Sequence, residues 1–242
     1  MSRAGFAYAQ ARLHAQLESR FSEDDWRMLG SSRNFGNCLD VVNQTKAANI
    51  TARLDRTNSV HAVERVLREE WSLSVGEIAG WLPAKWRNAA NWITVLPYLR
   101  RFEYSFESGG TLRWLRLETE FPEAADVIRS EREFGSPKRE VAEIWRNEWC
   151  LRLPNKRQGN EINMALSPLL DRYIANKTPG KMKASKTWHN LVDYLKRLFR
   201  SYSQTPVAIF AFLGLLALDF ERLRGVFVDH IIFSEPFDLG EI

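Results

Sequence analysis

Histidines are the residues of this chain that could most directly bind a metal or transfer a proton. They are His14, His61, His189 and His230, and none has another histidine or a cysteine three or four residues away. Two ligands on one helix face need about that spacing to reach the same ion. The pattern therefore predicts no metal site. His230 follows Asp229, and a partly solvated histidine at a helix end is favoured there over a functional pair.

The two cysteines, Cys38 and Cys150, are far apart in the chain and belong to no Cys-x-x-Cys pair. A disulfide scaffold is not indicated, and a reducing compartment fits this usage. We expect both thiols to act as small buried apolar groups.

Nucleotide-binding and nucleophile motifs are also missing. Gly30 and Gly36 bracket a segment that loosely resembles a phosphate loop, but the spacing is one residue too long and no Lys-Ser/Thr follows. Gly180-Lys181 lacks the required earlier glycine, and no Gly-x-Ser-x-Gly motif occurs. The acidic run at 23–25 could bind a cation, but a role in the first turn of a helix is simpler. We therefore expect no catalytic residue, no cofactor, no metal and no enzymatic activity.

The sequence predicts mainly helices for the segments that contain these residues. Ser22 before three acids is typical of an N-cap, as is Ser32 or Asn34 before an apolar helical pattern. No hairpin turn lies between two alternating runs. The sequence predicts an all-α protein of helical bundles, as a single domain 1–242 or as two sub-bundles, 1–108 and 111–242. We expect most of the nine tryptophans to fill space between helices.

Helix boundaries are predicted from proline, glycine and polar segments. Pro97 should interrupt a helix, and Pro137 should begin one. A polar break is expected over 154–159, and one short helix over 161–177. A basic loop is expected over 178–186, followed by an amphipathic helix over 187–202.

The segment Pro206–Phe233 is the most informative element. Its residues 207–218 contain no charge. This run is too short to cross a bilayer, because a membrane-spanning helix needs about 20 apolar residues. Charged residues then alternate with an apolar stripe. We predict a helix that is buried on all sides in its first half and solvated on one face in its second.

Charge is distributed unevenly in the second half of a mildly basic chain of net charge +4. Residues 177–200 contain seven basic residues and one acid, a net +6, whereas 219–242 contain six acids and two arginines, a net −4. The two segments could attract each other within the fold, which we favour, or mark surfaces for different partners. The N-terminus lacks an apolar signal-peptide core, which predicts a cytoplasmic protein.

Three segments together resemble a known family. The first is FAYAQARLHAQLESRFSEDDWRML, the second RNAANWITVLPYLRR, and the third the closing helix. They are similar, in this order, to elements of the C/d family of V-type and A-type rotary ATPase components. The matching positions are Tyr8, Ala9, Ala11, Arg12, Leu13, Leu17 and Leu29 at the start, and Pro206, Phe212, Leu213, Leu216, Glu221, Leu223, Arg224 and Val226 at the end.

The resemblance implies a short, divergent bacterial member of a non-catalytic family whose helical bundles form a funnel. Such a protein links the central stalk to the membrane proteolipid ring, so that ATP-driven rotation is coupled to ion or proton transport. It would lie at the cytoplasmic face of the membrane through its partners. The basic segment suggests Lys181, Lys183 and Lys186 as residues that bind the stalk.

Two other functions share these features. A helical adaptor or regulatory module with unrelated partners would have the same composition. A basic nucleic-acid-binding protein would use residues 177–200, and its binding would fall steeply with salt.

Overall fold

The computed structural model describes residues 4–107, 121–135, 140–174 and 181–233. Within these ranges the chain is all-α, as predicted, and contains no strand. Its helices in chain order are α1 (Ala4–Glu18), α2 (Glu23–Gly30), α3 (Phe35–Asn43), α4 (Val60–Trp81), α5 (Ala84–Trp92), α6 (Leu99–Glu107), α7 (Pro122–Ser130), α8 (Val141–Arg152), α9 (Lys156–Ala165), α10 (Ser167–Ile174), α11 (Lys181–Ser201) and α12 (Pro206–Phe233). Short 3-10 helices occupy Ala48–Thr51 and Ile93–Tyr98, and a short π-helix occupies Glu131–Gly135.

The residues group into two compact units. Unit 1 comprises Met1–Gln10 and Val75–Leu215, and unit 2 comprises Ala11–Ser74 and Leu216–Ile242. Helices α1, α4 and α12 therefore contribute residues to both units. The predicted division at 108–111 lies outside the described residues. In the part of the chain that is described, no helix combines the length and the apolar character needed to cross a membrane.

Two predicted helix starts are capped as expected from local chemistry. The hydroxyl of Ser22 accepts the N–H of Asp25 at 3.1 Å, and the Asp25 carboxylate accepts the N–H of Ser22 at 2.7 Å. This reciprocal pair satisfies two donors at the start of α2. Asn34, rather than Ser32, caps α3, since its side-chain oxygen accepts the N–H of Asn37 at 2.9 Å.

Several boundaries differ from the sequence-based expectation. The polar break over 154–159 is shorter than expected, because the Asn155 side chain accepts the N–H of Arg157 and begins α9 at Lys156. The single helix expected over 161–177 is divided at Leu166 into α9 and α10. The basic loop expected over 178–186 is also wrong from Lys181 onward, because α11 already begins at that residue. Residues 136–139, including the expected start at Pro137, lie outside the described ranges.

Tryptophan side chains connect helices α5 and α8 in unit 1. The indole N–H of Trp92 donates to the carbonyl of Trp145, and the indole N–H of Trp145 donates to the carbonyl of Trp92, each at 3.2 Å. Trp149 donates to the carbonyl of Ala89 at 3.1 Å. The 3-10 helix begins at Ile93, and the N–H of Ile93 donates to the carbonyls of Ala90 and Asn91. Because this N–H is not directed to the carbonyl of Ala89, that carbonyl can accept the indole N–H of Trp149. We call these three hydrogen bonds the indole contacts.

The first half of α12 lies in the same core. Its residues from Pro206 to Leu215 are buried, as the uncharged run predicts. A Cβ atom at Gly214 would lie 2.6 Å from Cδ2 of Leu169, which is closer than carbon atoms approach. Glycine therefore permits the close packing of α12 against α10 at this position.

Unit 2 contains a second aromatic core around the later part of α12. Trp71 packs against Phe220 with ring centroids 5.7 Å apart, and Phe35 meets Phe227 edge-on at 5.3 Å. The Cys38 thiol is fully buried, and Cys150 of unit 1 is half-buried. Burial raises the pKa of both thiols, so that they stay protonated at neutral pH.

Candidate protein-interaction site

The three lysines expected to bind a partner fall in the first turns of α11. The side chains of Lys181, Lys183 and Lys186 lie outside what the structure describes. The backbone nevertheless joins these turns to Trp188 on the same helix. The surroundings of Trp188 therefore give the local chemistry next to the predicted site.

An arginine from α10 covers the ring of Trp188. The guanidinium carbon of Arg172 lies 4.6 Å from the ring centroid, which is a cation–π distance. The side chain of Arg100, on α6, donates from Nη2 to the carbonyl of Arg172 at 3.4 Å. The next residue, Arg101, lies over the ring of Tyr98 at 5.6 Å.

The rings of Tyr98 and Trp188 each have an arginine over one face, whereas Tyr104 on α6 is 58% exposed. Tyr98 is only 8% exposed, and Trp188 is half-buried with Arg172 over its face. Arg100 is exposed, and Arg101 and Arg172 are half-buried. An arginine stacked on a ring loses less freedom when it binds, because its orientation is already restricted.

Two acidic residues close in sequence to Arg101 and Arg172 have contacts of their own. Glu103 accepts hydrogen bonds from Arg132 and from the N–H of Val141 at 2.7 Å, which caps the start of α8. Asp171 accepts the hydroxyl of Ser167 at 3.0 Å.

Helix α11 presents a mixed outer surface beyond Trp188. Its apolar stripe is buried, with Leu195 and Phe199 both at 0% exposure. The exposed positions on the other side are His189, Asn190, Asp193, Arg197 and Arg200. The basic residues of the segment 177–200 are thus divided between the helix start and its last turns.

The charged half of α12 in unit 2 contacts other segments of that unit. Asp219 binds Arg20 through two contacts of 2.5 and 2.8 Å, and both side chains are less than a tenth exposed. Arg224 donates to Glu64 at 2.6 Å. Two residues earlier, the guanidinium of Arg222 lies 4.5 Å from the ring centroid of Trp26. Burial lowers the pKa of Arg222, and neighbouring carboxylates oppose that shift.

His230 has a defined contact that the sequence does not predict. Its Nε2 atom lies 3.1 Å from the carbonyl of Leu29, at the end of α2. No sequence signal identifies this contact, because the two residues are 201 positions apart.

The acidic run at 23–25 and the pair Gly30 and Gly36 have ordinary structural roles. Asp25 forms the cap of α2, and Asp24 pairs with Arg27 on the helix surface at 2.9 Å. Gly30 ends α2, and Gly36 lies in the first turn of α3. Within the described ranges, no group of three or more His, Cys, Asp or Glu side chains could hold a metal ion.

Comparison of the chain with protein-family models, with curated proteins and with solved structures found no match. The function of the candidate site is therefore inferred from its own geometry and from the sequence resemblance.

Proposed function

We propose that this chain is a non-catalytic helical component that transmits force between partner proteins. The sequence resemblance specifies the proposal further: the partners are the central stalk and the proteolipid ring of a V/A-type rotary ATPase. The complex would couple ATP hydrolysis to ion transport. The chain would lie at the cytoplasmic face of the membrane through these partners.

The single observation that carries this proposal is the environment of helix α12. It is buried from Pro206 to Phe220, with only Leu216 half-buried. A helix enclosed in this way is held by side chains on every side, and close-packed protein interiors have low compressibility. Resistance to deformation is what a protein needs if it transmits torque.

Interlocking side chains support the same interpretation within each unit. The indole contacts join two helices of unit 1, and the Arg20–Asp219 pair ties α12 to the segment after α1 in unit 2. Hydrogen bonds of this kind restrict sliding between elements because each has a narrow range of favourable distances and angles.

Co-purification tests the proposal directly. The full-length tagged chain is expressed in its native host, isolated in mild detergent and analysed by mass spectrometry. Rotary ATPase subunits should accompany it in constant ratio. Recovery of a different, constant set of proteins would replace this proposal with the adaptor function, and recovery of the chain alone would contradict both.

A charge-reversal experiment tests the predicted stalk contact. The variant Lys181→Glu, Lys183→Glu, Lys186→Glu should bind the stalk more weakly at low salt, because surface charges steer association. The matched control reverses three exposed lysines elsewhere, Lys46, Lys85 and Lys156. Unchanged stalk affinity in the first variant would eliminate this site.

A further inference from the structure

The connection between α3 and α4 comprises residues 44–59, and we call it the α3–α4 loop. We propose that this loop opens away from its two neighbouring helices as ionic strength rises, while the aromatic core of unit 2 stays folded. The loop and the residues that it contacts all belong to unit 2. This property of the fold is independent of the proposed function.

The α3–α4 loop contributes little to the core of unit 2. Only Ala47 and Thr51 in it are buried, at 5% and 2% exposure. Both side chains are small, and the hydroxyl of Thr51 donates to the carbonyl of Ala48 inside the loop. The larger apolar residues Ile50 and Leu54 are half-buried. Because hydrophobic stabilisation is roughly proportional to the apolar area buried, the loop should detach at a lower free-energy cost than α3 or α4 would.

Backbone hydrogen bonds do not join the middle of the loop to either helix. The N–H of Ile50 donates to the carbonyl of Ala47 at 3.0 Å, and the N–H of Leu54 donates to the carbonyl of Thr51 at 2.8 Å. With the described part of the chain as possible partners, the backbone-to-backbone hydrogen bonds of residues 46–58 all stay within the loop. The loop can therefore move away from the helices with its own turns intact.

Ion pairs join the loop to both helices between its two ends. The guanidinium of Arg53 donates to Glu69 at 2.6 Å and to Glu70 at 2.7 Å, and both acids lie on α4. The guanidinium of Arg56 donates to the carboxylate of Asp40, on α3, at 2.6 Å. Two arginines of one loop thus attach it to the helices on either side.

These ion pairs are accessible to salt. The side chains of Arg53, Arg56, Asp40 and Glu69 are 45% to 65% exposed, and only Glu70 is more enclosed, at 20%. The Debye length falls from about 30 Å at 0.01 M to about 3 Å at 1 M ionic strength, so exposed pairs weaken as salt is added. The aromatic ring contacts in the core of unit 2 carry no charge that salt could screen, so the core should stay closed.

Hydrogen–deuterium exchange of the purified full-length chain, measured by mass spectrometry, tests the proposal. Rates are divided by those of the unfolded chain at the same salt concentration. Between about 0.02 M and about 1 M sodium chloride, peptides covering 44–59 should exchange about fivefold faster, because the ion pairs of the loop weaken. Peptides covering 220–227, in the core of the same unit, should change little.

The double variant Arg53→Gln, Arg56→Gln removes the ion pairs. Its loop should exchange at both salt concentrations at about the rate that the parent reaches at high salt. The matched control is Arg27→Gln, which breaks an exposed ion pair with Asp24 on the surface of α2. This control should leave the exchange of the loop and its salt dependence unchanged.

Three results would overturn the proposal. Equal acceleration of the loop and of the 220–227 peptides by salt would show that the loop opens only when the whole unit unfolds. Unchanged or slower loop exchange at high salt would show that salt does not release it. A folded double variant that keeps the salt response of the parent would show that the ion pairs do not control opening. The salt series of the parent decides the outcome even if the double variant fails to fold.

Discussion

A set of buried polar contacts in unit 1 and a buried polar contact in unit 2 differ in their chemistry. In unit 1 the indole contacts are neutral, since the N–H groups of three tryptophans donate to main-chain carbonyls. In unit 2 the corresponding buried contact is charged, since Arg20 and Asp219 form a pair with side chains only 9% and 8% exposed. Both arrangements satisfy buried polar groups, but by different chemistry.

The difference affects how the stability of each contact responds to salt, pH and mutation. A neutral hydrogen bond loses little when salt or pH changes. A buried ion pair depends on both partners remaining charged, and removal of one leaves the other desolvated without that partner. The Arg20–Asp219 pair should therefore be more sensitive to single charge changes than the indole contacts are.

The largest expected effect is that of Asp219→Ala in unit 2. Loss of the carboxylate leaves the Arg20 guanidinium nearly buried without this partner, which should lower the free energy of unfolding by about 3–5 kcal/mol. Urea denaturation followed by circular dichroism measures it. The control Asp229→Ala removes the same charge from an exposed position on the same helix and should have a small effect. Equal losses in the two variants would contradict the importance of the pair.

The next effect is that of Trp149→Phe in unit 1. This substitution keeps an aromatic ring against Phe210 but removes the donor to the carbonyl of Ala89, at an expected cost of about 1–3 kcal/mol. Trp86→Phe is the matched control, because Trp86 is equally buried and its Nε1 has no hydrogen-bond partner among the described residues. The Trp149 variant should be the less stable of the two by about 1 kcal/mol in the same assay. A reversed order would show that ring volume, not the indole contacts, determines the difference.

A smaller effect is expected for Arg56→Met in unit 2. Arg56 pairs with Asp40 at 2.6 Å, but the two side chains are 65% and 47% exposed. Exposed pairs contribute about 0.2–1 kcal/mol, and salt screens them. The loss measured by urea denaturation should therefore shrink as sodium chloride is added. A loss as large as that of Asp219→Ala would show that burial is not what separates the two pairs.

The smallest effect is a pH dependence at Asp55, on the exposed loop of unit 2. The hydroxyl and N–H of Thr57 donate to its carboxylate, which lowers the pKa of Asp55 below its ordinary 3.8. A lowered pKa in the folded state stabilises the fold above 3.8, and that contribution disappears as pH falls through the lower folded value.

Thermal unfolding of Asp55→Ala measures this contribution. The variant should have a slightly lower Tm than the parent at neutral pH, and the difference should vanish in strong acid. A difference that grows on acidification would have the wrong sign and would rule out the stabilising role of the Thr57 contacts.

Local chemistry makes several elements predictable from the sequence. Ser22 and Asn34 cap helices through side chains that reach only three residues along the chain. The uncharged run after Pro206 identifies a buried helix, because a helix with no polar face has no solvated side. Pro97 lies in a 3-10 segment between α5 and α6, as expected for a residue that lacks an N–H.

Boundaries and charged contacts are less predictable. The sequence predicts a loop where α11 begins, because the basic residues beside Pro179 and Gly180 show no helical spacing of apolar residues. The three lysines of the candidate site are predicted from the concentration of basic residues in one segment of the sequence. The sequence gives no sign that Arg100, 72 positions before Arg172, donates to the carbonyl of Arg172.

The sequence by itself determined the all-α class, the main helix caps and the burial of α12, because these depend on residues within a few turns of one another. Only the tertiary structure decided which polar groups meet. The Arg20–Asp219 pair spans 199 positions, the Trp92–Trp145 contacts span 53, and the contact between Arg100 and Arg172 spans 72. Such partners are selected by the packing of whole helices, and no periodicity within a single helix encodes them.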